Sequence, residues 1–361
     1  MGNLQGGTID WTDLVFTDDE PEIRKYSLTA GDVLFNRTNT IDLVGKTAIY
    51  TGERPAIFAG YLIRINADKA VLDSKFLNYV LNAEFSRKHS AKVLSVAVGQ
   101  ANINGQKVKS YPVPLPPAKA EQEAIAEALS DADALIASLD QLLAKKRQIK
   151  QGAMQELLTG KKRLPGFSGK WEVKRLGDVI EKFIGGGTPS RANPQYWGSE
   201  IPWVTVKDFA TFSPRHSQEA ITRLGLENSA SHLVPAGTLV TATRMALGKA
   251  VIYEVDVAIN QDLKALFPKA DLANQYLRFW FQYHGHSIDD LGSGSTVKGV
   301  SLSDLKRIEF QLPPRREQIA IATTLSDMDA EIAVLEGKLA KAREIKQGMM
   351  QELLTGKIRL L

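Results

Sequence analysis

Two long stretches of the chain place apolar residues at alternating spacings of four and three, the pattern of a helix that buries one narrow stripe. The first stripe consists of Ile125, Leu129, Ala132, Ile136, Leu139 and Leu143, and the second of Ile321, Leu325, Met328, Ile332, Leu335 and Leu339. Each stretch follows a Leu-Pro-Pro triplet, which ends a strand and favours the start of a helix. The pattern predicts two long helices with coiled-coil stripes.

The two helical stretches are copies of one element. Residues 121–164 and 317–360 align at a constant offset of 196, and roughly 31 of the 44 aligned pairs are identical. Because so narrow a stripe buries little surface against a globular domain, we expect the two helices to pack on each other as an antiparallel spacer. About 40 helical residues rising about 1.5 Å each make a rod about 60 Å long, and such a rod can act as a ruler.

The stretches before the helices are rich in glycine and short β-branched runs, which predicts mixed α/β domains. In the first, strands are predicted at 32–35, 47–50 and 61–65 and a helix at 75–89, and the same order recurs at 238–241, 250–253, 265–267 and 272–285. The predicted fold is α+β with a pseudo-twofold repeat, divided into domain 1–117, helix 118–164, domain 165–314 and helix 315–361. Near-identical helices with dissimilar domains suit a protein that reads two different things at a fixed separation.

Composition narrows the class of protein. The chain of 361 residues has no cysteine, which excludes disulfide scaffolds, cysteine zinc sites and thiol nucleophiles. No export signal or apolar span is present in the sequence, so a cytoplasmic location is expected. The net charge is +4, and each of the four predicted segments contributes +1. Because this small positive charge is spread evenly over the four segments, we expect the chain alone to bind nucleic acid weakly.

Catalytic motifs fail one by one. The segment Gly45-Lys46-Thr47 lacks the first glycine of a P-loop, because residue 40 is threonine, and the Gly185–Gly187 run lacks the spacing of a dinucleotide turn. The five histidines form no metal-binding motif with carboxylates. Leucine stands before both Pro-Pro pairs, where a base methyltransferase needs Asn or Asp. We therefore expect a non-catalytic chain without a metal site or a cofactor of its own.

Several segments in a fixed order resemble the specificity subunits of type I restriction-modification systems, the HsdS family. In the first repeat these are AGDVLFNRTNT, LVGKTAIY, VGQANINGQKVKSYPVPLPP and EQEAIAEALSDAD. In the second they are WEVKRLGDVIEKFIGGGTPS, IPWVTVKDF, AGTLVTATRMALGKAVIY and GSGSTVKGVSLSDLKRIEFQLPPRREQ. The resemblance covers nearly the whole chain, and the order of the segments around two near-identical helices is specific although each segment alone is weak.

The resemblance implies a function and a set of partners. Each target-recognition domain would read one half of a bipartite site in double-stranded DNA, and the helices would set the gap. Two methyltransferase (HsdM-type) subunits would supply S-adenosylmethionine chemistry on a flipped adenine, and two restriction (HsdR-type) subunits would supply ATP- and Mg-dependent steps. The alternatives are a non-catalytic two-headed interaction scaffold and an orphan or truncated specificity subunit with impaired binding of the first half-site.

One departure concerns the front of the first repeat. Roughly 35 to 40 residues of the second repeat, 165–202, have no counterpart ahead of the first. Two explanations stay open: the natural start lies upstream, or the first domain lacks its opening strand and the glycine-rich loop that corresponds to 185–190. In either case binding of DNA by the first domain is in question.

Candidate DNA-contacting residues are polar side chains in predicted loops, since Arg, Lys, Asn and Gln can read base edges and any donor can hold a phosphate. The predicted set is Asn36, Arg37, Asn39, Gln100, Asn102, Asn104 and Lys107 in the first domain, and Thr188, Ser190, Arg191, Arg244, Ser295, Thr296 and Lys298 in the second. Arg37 and Arg244 are expected to occupy equivalent loops. For any single residue, a solvated turn is an equally good interpretation.

Overall fold

The computed structural model describes residues 2–97, 99–293 and 298–360. The chain forms two compact units, residues 1–142 with 335–361 and residues 143–334. Each unit therefore combines one α/β head with one end of each long helix. This division differs from the four predicted segments because the helix ends are built into the heads.

The first unit contains two small sheets and a hairpin. The central sheet has the antiparallel order Thr47–Ile49, Val33–Asn36, Leu62–Ile65. A second sheet joins Thr38–Asn39, Gln100–Asn102 and Ser95–Ala97, and the hairpin pairs Leu4–Gln5 with Thr8–Ile9. The helices are Glu20–Tyr26, Ser74–Asn82, Glu84–Val93 and Gly105–Val108.

The helix predicted at 75–89 is two helices, so that prediction was wrong. Asp73 caps the first by accepting a hydrogen bond from the Phe76 amide at 2.8 Å. The break falls at Ala83, which is extended with ψ 158°. There the Val80 carbonyl accepts hydrogen bonds from the Ala83 amide at 3.2 Å and from the Ser86 hydroxyl at 2.6 Å, in place of the Glu84 amide of a continuous helix.

The second unit is built on two four-stranded sheets. One has the order Ile180–Gly185, Leu263–Pro268, Leu239–Ala242, Ala250–Ile252, and the other Glu219–Ile221, Trp197–Val204, Val257–Ile259, Leu233–Val234. A two-stranded sheet pairs Glu172–Arg175 with Glu309–Leu312. Its helices are Leu176–Val179, Arg223–Glu227, Asn274–Asp290 and Leu302–Arg307, with 3₁₀ turns at Pro194–Tyr196 and Val206–Phe209.

The two long helices run Lys119–Leu157 and Arg315–Leu353. Of the twelve apolar stripe residues predicted, seven are buried, namely Ile125, Leu129, Leu143, Ile321, Leu325, Leu335 and Leu339. The other five, Ala132, Ile136, Leu139, Met328 and Ile332, are half-buried. The stripe is therefore an inward face along its whole length.

The prediction that each stripe packs on the other helix was only partly correct, because each stripe also packs on its head. Ile125 and Leu129 lie in one cluster with Leu353 and Leu354 of the other helix, as predicted, but also with Phe76 of the head. Ile321 and Leu325 are likewise part of the large core of the second head. The narrow stripe thus packs on a globular domain at the start of each helix, where it shares a core with the Ser74–Asn82 or Asn274–Asp290 helix.

Cross-helix ion pairs show that the helices run antiparallel within each unit. In the first unit Lys346 binds Asp133 at 2.5 Å, and Arg343 binds Asp140 at 2.9 Å. In the second, Lys150 binds Asp329, and Lys146 binds Glu331 at 2.6 Å. The Lys346–Asp133 and Lys150–Asp329 pairs are the same contact repeated at the offset of 196, so the internal repeat extends to individual charges.

Within the described part of the chain, no helix combines the length and the apolar character needed to cross a membrane.

Candidate nucleic-acid interface

Each head is attached to its helix by a duplicated glutamine. Gln122 accepts a hydrogen bond from the Asp73 amide at 2.9 Å, and Gln318 accepts one from the Ala273 amide at 2.8 Å. Both side-chain amides also donate back to two carbonyls, one of them in the proline segment before the helix. Because both glutamines are buried and fully bonded, they fix the angle at which each head leaves its helix.

The triple glycine of the second unit allows a close approach of two backbone segments. A Cβ on Gly186 would lie 1.8 Å from the Ile259 carbonyl oxygen, so only glycine fits there. The carbonyl of Gly187 accepts hydrogen bonds from Trp203 Nε1 at 3.0 Å and from the Ser231 hydroxyl at 2.7 Å. The loop is therefore rigid, and it presents the exposed residues Thr188 and Ser190 at its end.

The loop meets a polar turn, residues 260–262, which we call the Asn260 turn. The Thr188 hydroxyl donates to Gln261 Oε1 at 2.7 Å, and Gln261 is exposed. Arg244 lies 3.5 Å from the Asp262 carboxylate, with its own side chain 54% exposed. The predicted residues Thr188 and Arg244 are thus brought together by a turn that was not predicted as part of the site.

Lys264 stabilises the Asn260 turn through hydrogen bonds to backbone carbonyls. Its ammonium group donates to the carbonyls of Gln261 and Leu263, each at 3.3 Å. Burial lowers the pKa of Lys264, and the Asp262 carboxylate opposes that shift. A partly desolvated cation beside an exposed amide and an exposed guanidinium is suited to bind phosphate next to a base edge.

Arg191 has a different environment from the one predicted. Its two terminal nitrogens form a fork onto Glu219, one of them at 2.8 Å. Its guanidinium also lies over the Trp197 ring, 3.7 Å from the centroid. Two of its five N–H donors are thus engaged by Glu219, and in this structure Arg191 stabilises the end of the loop.

Of the remaining three predicted residues of the second unit, the structure describes Lys298. Ser295 and Thr296 lie outside the described residues. Lys298 is paired with Asp289 at 2.6 Å, and its carbonyl accepts a hydrogen bond from the Met245 amide. Because Arg244 forms a β-bridge with Gly299, Lys298 and Gly299 lie beside the Arg244 end of the candidate surface.

In the first unit the predicted polar loop is a β-hairpin with Ser95–Ala97 as one strand and Gln100–Asn102 as the other. Gln100 is exposed, and Asn102 donates to the Thr38 hydroxyl at 2.6 Å. Asn104 is the cap of the Gly105–Val108 helix, and Lys107 donates to the Ser95 hydroxyl at 2.6 Å. The hairpin also pairs with Thr38–Asn39 in a three-stranded sheet, and it presents the exposed Gln100 next to its turn.

Two of the predicted DNA contacts lie in the interior. Asn36 is 1% exposed and Asn39 is 7% exposed, so neither reaches the surface, and their prediction as surface contacts was wrong. The physical reason is that the Val33–Asn36 strand is covered on both faces, which leaves its last polar residue inside. Arg37 is half-buried.

The expected equivalence of Arg37 and Arg244 was wrong by one residue. The Arg37 amide donates to the Tyr61 carbonyl, and its counterpart in this bond is Thr243, which donates to Asp262. Arg244 therefore corresponds to Thr38. Because neighbouring side chains on an extended segment point to opposite sides, a shift of one places the two arginines on different sides.

The same alignment of backbone bonds places residues 59–61, Ala-Gly-Tyr, opposite the Asn260 turn, Asn-Gln-Asp. The most useful residue that sequence reasoning missed is Gln261. The available signal was a run of three polar residues between two apolar strands. The two turns differ at every position, so the two heads present different chemistry from the same place in the fold.

No cluster of three or more His, Cys, Asp or Glu side chains suited to a metal ion occurs among residues 2–97, 99–293 and 298–360. His284, one of the five histidines, stacks on Trp280 with 4.4 Å between ring centroids. Burial lowers the pKa of His284, and a hydrogen bond to the Trp280 carbonyl opposes that shift. The ring is part of the helix core.

Two α/β heads of one design, each joined to an antiparallel helix pair, define a class of internally duplicated recognition proteins. The family model described as "Type I restriction modification DNA specificity domain" matches residues 5–150 and again 168–344. The chain therefore belongs to the type I DNA specificity family and contains two of its recognition domains.

Relatives agree with the family assignment. The chain is 29% identical over 372 residues to the putative MjaX type I restriction enzyme specificity subunit of Methanocaldococcus jannaschii, a match that covers 99% of this chain and 86% of that protein. It is 32% identical to the MjaIX specificity subunit of the same organism, over 51% of this chain and 42% of that one. The crystal structure of the type I S subunit from M. genitalium matches with a TM-score of 0.61 at 15% identity, over 91% of this chain and 84% of that chain. This last likeness supports the fold.

Proposed function

We propose that this chain is the DNA-reading subunit of a type I restriction-modification complex, in which each head reads one half of a bipartite site and the helix pair sets the gap. The observation that carries the proposal is that the two units share their helix ends and ion pairs but differ in the equivalent exposed turns of their heads. The forks Arg359–Glu121 and Arg163–Glu317 repeat at the same offset, whereas the turns at 59–61 and 260–262 share no residue. Selection for two different half-sites explains both facts.

The contacts divide into positioning and reading groups. In the second head, Lys264 and Ser190 would hold phosphates, and the exposed side chains of Gln261 and Arg244 would supply the donors and acceptors that base edges require. In the first head, Gln100 on the Ser95–Asn102 hairpin takes the reading role. The hairpin and the Asn260 turn differ in shape as well as in chemistry, which suits two unrelated half-sites.

Catalysis belongs to partners in this proposal. Two methyltransferase subunits would bring S-adenosylmethionine, and restriction subunits would bring ATP and Mg. The relatives named as restriction-enzyme specificity subunits support such an assembly. The evenly spread charge of the chain supports the same division, because partners would have to neutralise much of the DNA.

The test is to co-express the full chain with a type I methyltransferase subunit and to map methylated adenines across the host genome. The proposal expects one bipartite motif with a fixed gap. Methylation that depends on the partner but not on this chain, or a motif without two halves, would refute it. Co-purification of the two proteins without any methylation motif would favour the interaction scaffold.

A further inference from the structure

In the second unit the segment that follows the first long helix folds back over the C-terminal end of that helix and the first turn of the second long helix. The chain turns at Gly160 with φ 68°, and a Cβ there would lie 3.3 Å from the Trp171 ring. Trp171 Nε1 donates to Glu317 at 3.0 Å. The strand Glu172–Arg175 then pairs with Glu309–Leu312. We call Trp171 and this strand, residues 171–175, the Trp171 cap.

The first unit has the same frame around its helix end. Gly356 repeats Gly160 with φ 72°, and Arg359 makes the fork onto Glu121. A Cβ on Gly356, however, would meet nothing within 4 Å. Leu360 is 39% exposed, whereas its counterpart Leu164 packs against the core of the second unit. The surface around Gly356 and Leu360 is therefore uncovered in the first unit, whereas the Trp171 cap covers the equivalent surface in the second.

In the first unit the segment equivalent to the strand Glu309–Leu312, which pairs with the Trp171 cap in the second unit, is also uncovered. Residues 112–115 are the counterpart of 309–312, as the Leu-Pro-Pro triplets that follow both show. Leu115 is 44% exposed, whereas Leu312 is 6% exposed. Among the residues described in the first unit, none pairs with 112–115 in a sheet, and no segment takes the place of the Trp171 cap.

The proline pattern of residues 112–115 fits a strand on one side only. In the second unit the Leu176 amide donates to the Ile308 carbonyl at 2.8 Å, so by antiparallel alternation Phe310 and Leu312 are the residues that bond to the cap. Their counterparts are Val113 and Leu115, which have amide hydrogens. Pro112 and Pro114 stand at the alternate positions, whose amides would face away from the cap, where proline is tolerated on a sheet edge.

We propose that residues 112–115, with Gly356 and Glu121, form a docking edge for a β-strand of another polypeptide chain that carries a tryptophan directly before it. The strand adds to the edge through the backbone of Val113 and Leu115. The indole packs on Gly356, and its N–H donates to Glu121. A helix or a small apolar ligand would leave those amides without partners, so the edge selects a strand. This interaction is independent of the DNA reading proposed above.

The experiment uses a labelled peptide with the sequence of residues 166–180 and the full chain, with fluorescence anisotropy as the readout. Saturable binding is expected, and a Trp171→Ala peptide should bind at least about tenfold more weakly. A Trp171→Phe peptide, which keeps the ring and loses the N–H, should fall between them. Equal binding of the wild-type, Trp171→Ala and scrambled peptides overturns the proposal, as does no saturable binding up to about 1 mM.

Chain variants and hydrogen exchange locate the site. Leu115→Pro removes one bonding amide and should weaken binding about fivefold to tenfold, whereas Leu115→Ala keeps the amide and should weaken it less. Amide hydrogens at 113 and 115 should gain protection when the peptide binds. Protection confined to 309–312 would mean that the peptide displaces the cap of the second unit, and it would overturn the proposal even if the peptide binds.

Discussion

Arg359 donates two hydrogen bonds to Glu121, each 2.5 Å long, and so joins the segment after the second long helix to the first turn of the first long helix. The carboxylate is 2% exposed, and it lies at a helix N-terminus, where the helix dipole favours negative charge. Arg163 and Glu317 make the same fork in the second unit. Duplicated ion pairs with buried carboxylates specify the antiparallel register, because a slip along the stripe would leave a buried carboxylate without a partner.

The fork predicts how stability depends on pH. The hydrogen bonds from Arg359 hold the pKa of Glu121 below its usual value of 4.5. The contribution is therefore fully present above the unfolded pKa and is lost as pH falls through the lower folded pKa. Glu121→Gln should lower the melting temperature at neutral pH, and the difference from wild type should shrink below about pH 4.

The matched control for this prediction is Glu123→Gln on the same helix. Glu123 is 56% exposed and pairs with Lys119 four residues away on the same helix, so its loss should change the melting temperature little at any pH. Thermal unfolding followed by circular dichroism from pH 7 to pH 3 makes the comparison. A constant difference between Glu121→Gln and wild type over that range would contradict the assigned role.

The long helices and the main strands could be predicted from the sequence, because they follow from local periodicity and from the duplication of the helical segment. The stripes, the proline-led helix starts and the main strands follow from spacings within a few residues. The fork could not be predicted, since Arg359 and Glu121 are 238 residues apart and each alone is an ordinary charged residue near a helix end. Pairing at such a distance is fixed only when the antiparallel register is known.

The candidate site was harder to predict than the frame. Thr188 and Gln261 are 73 residues apart, and the sheet order alone places the glycine loop beside the Asn260 turn. Asn36 was misassigned because a polar residue at the end of an apolar strand has the same sequence context whether it is buried or exposed. Arg37 was matched to Arg244 because residue type was given more weight than backbone register.

The Gly186 position predicts a sharp effect of one methyl group. Gly186→Ala would place a Cβ 1.8 Å from the Ile259 carbonyl oxygen, so the loop must move away from the Asn260 turn. Such a clash should cost about 1 to 3 kcal/mol and weaken reading of the second half-site only. Gly185→Ala is the matched control, because its Cβ meets the flexible end of Lys264 at 3.0 Å. Equal loss in both variants, measured by DNA binding, would refute this account.

Gln261 should determine one position of the second half-site. Its Oε1 is fixed by Thr188, and the exposed amide can make the paired contact that glutamine makes with adenine. Gln261→Ala should cost about 1 to 3 kcal/mol for the cognate duplex and relax one base pair. Thr188→Val, which removes only the orienting hydroxyl, should have a smaller effect in the same direction. A uniform loss on all duplexes would assign Gln261 to phosphate instead.

Arg244 is tested in the same binding assay with a different discriminating readout. It is exposed and makes a long contact of 3.5 Å with Asp262, so it can turn toward DNA at little cost. Arg244→Ala relaxes one position if the side chain reads a base, and it weakens all sequences and flattens the salt dependence by about one unit if it binds a phosphate. Arg191→Ala is the comparison, since its fork is already occupied by Glu219. If Arg244→Ala changes neither specificity nor salt dependence, Arg244 is not part of the interface.

The spacer role predicts the gap between the half-sites. Seven residues inserted after Lys145 and seven after Glu331 fall between the cross-helix pairs Lys150–Asp329 and Arg343–Asp140, so both pairs keep their partners. Seven residues preserve the 4-3 stripe and add about 10 Å to a helix, which corresponds to about three base pairs. The methylated motif should therefore keep both half-sites and lengthen its gap by that amount, whereas the same insertion after the exposed Phe16 should leave the gap unchanged. An unaltered gap in the helix variant, with methylation retained, would show that the distance between half-sites is set by the partner subunits and not by these helices.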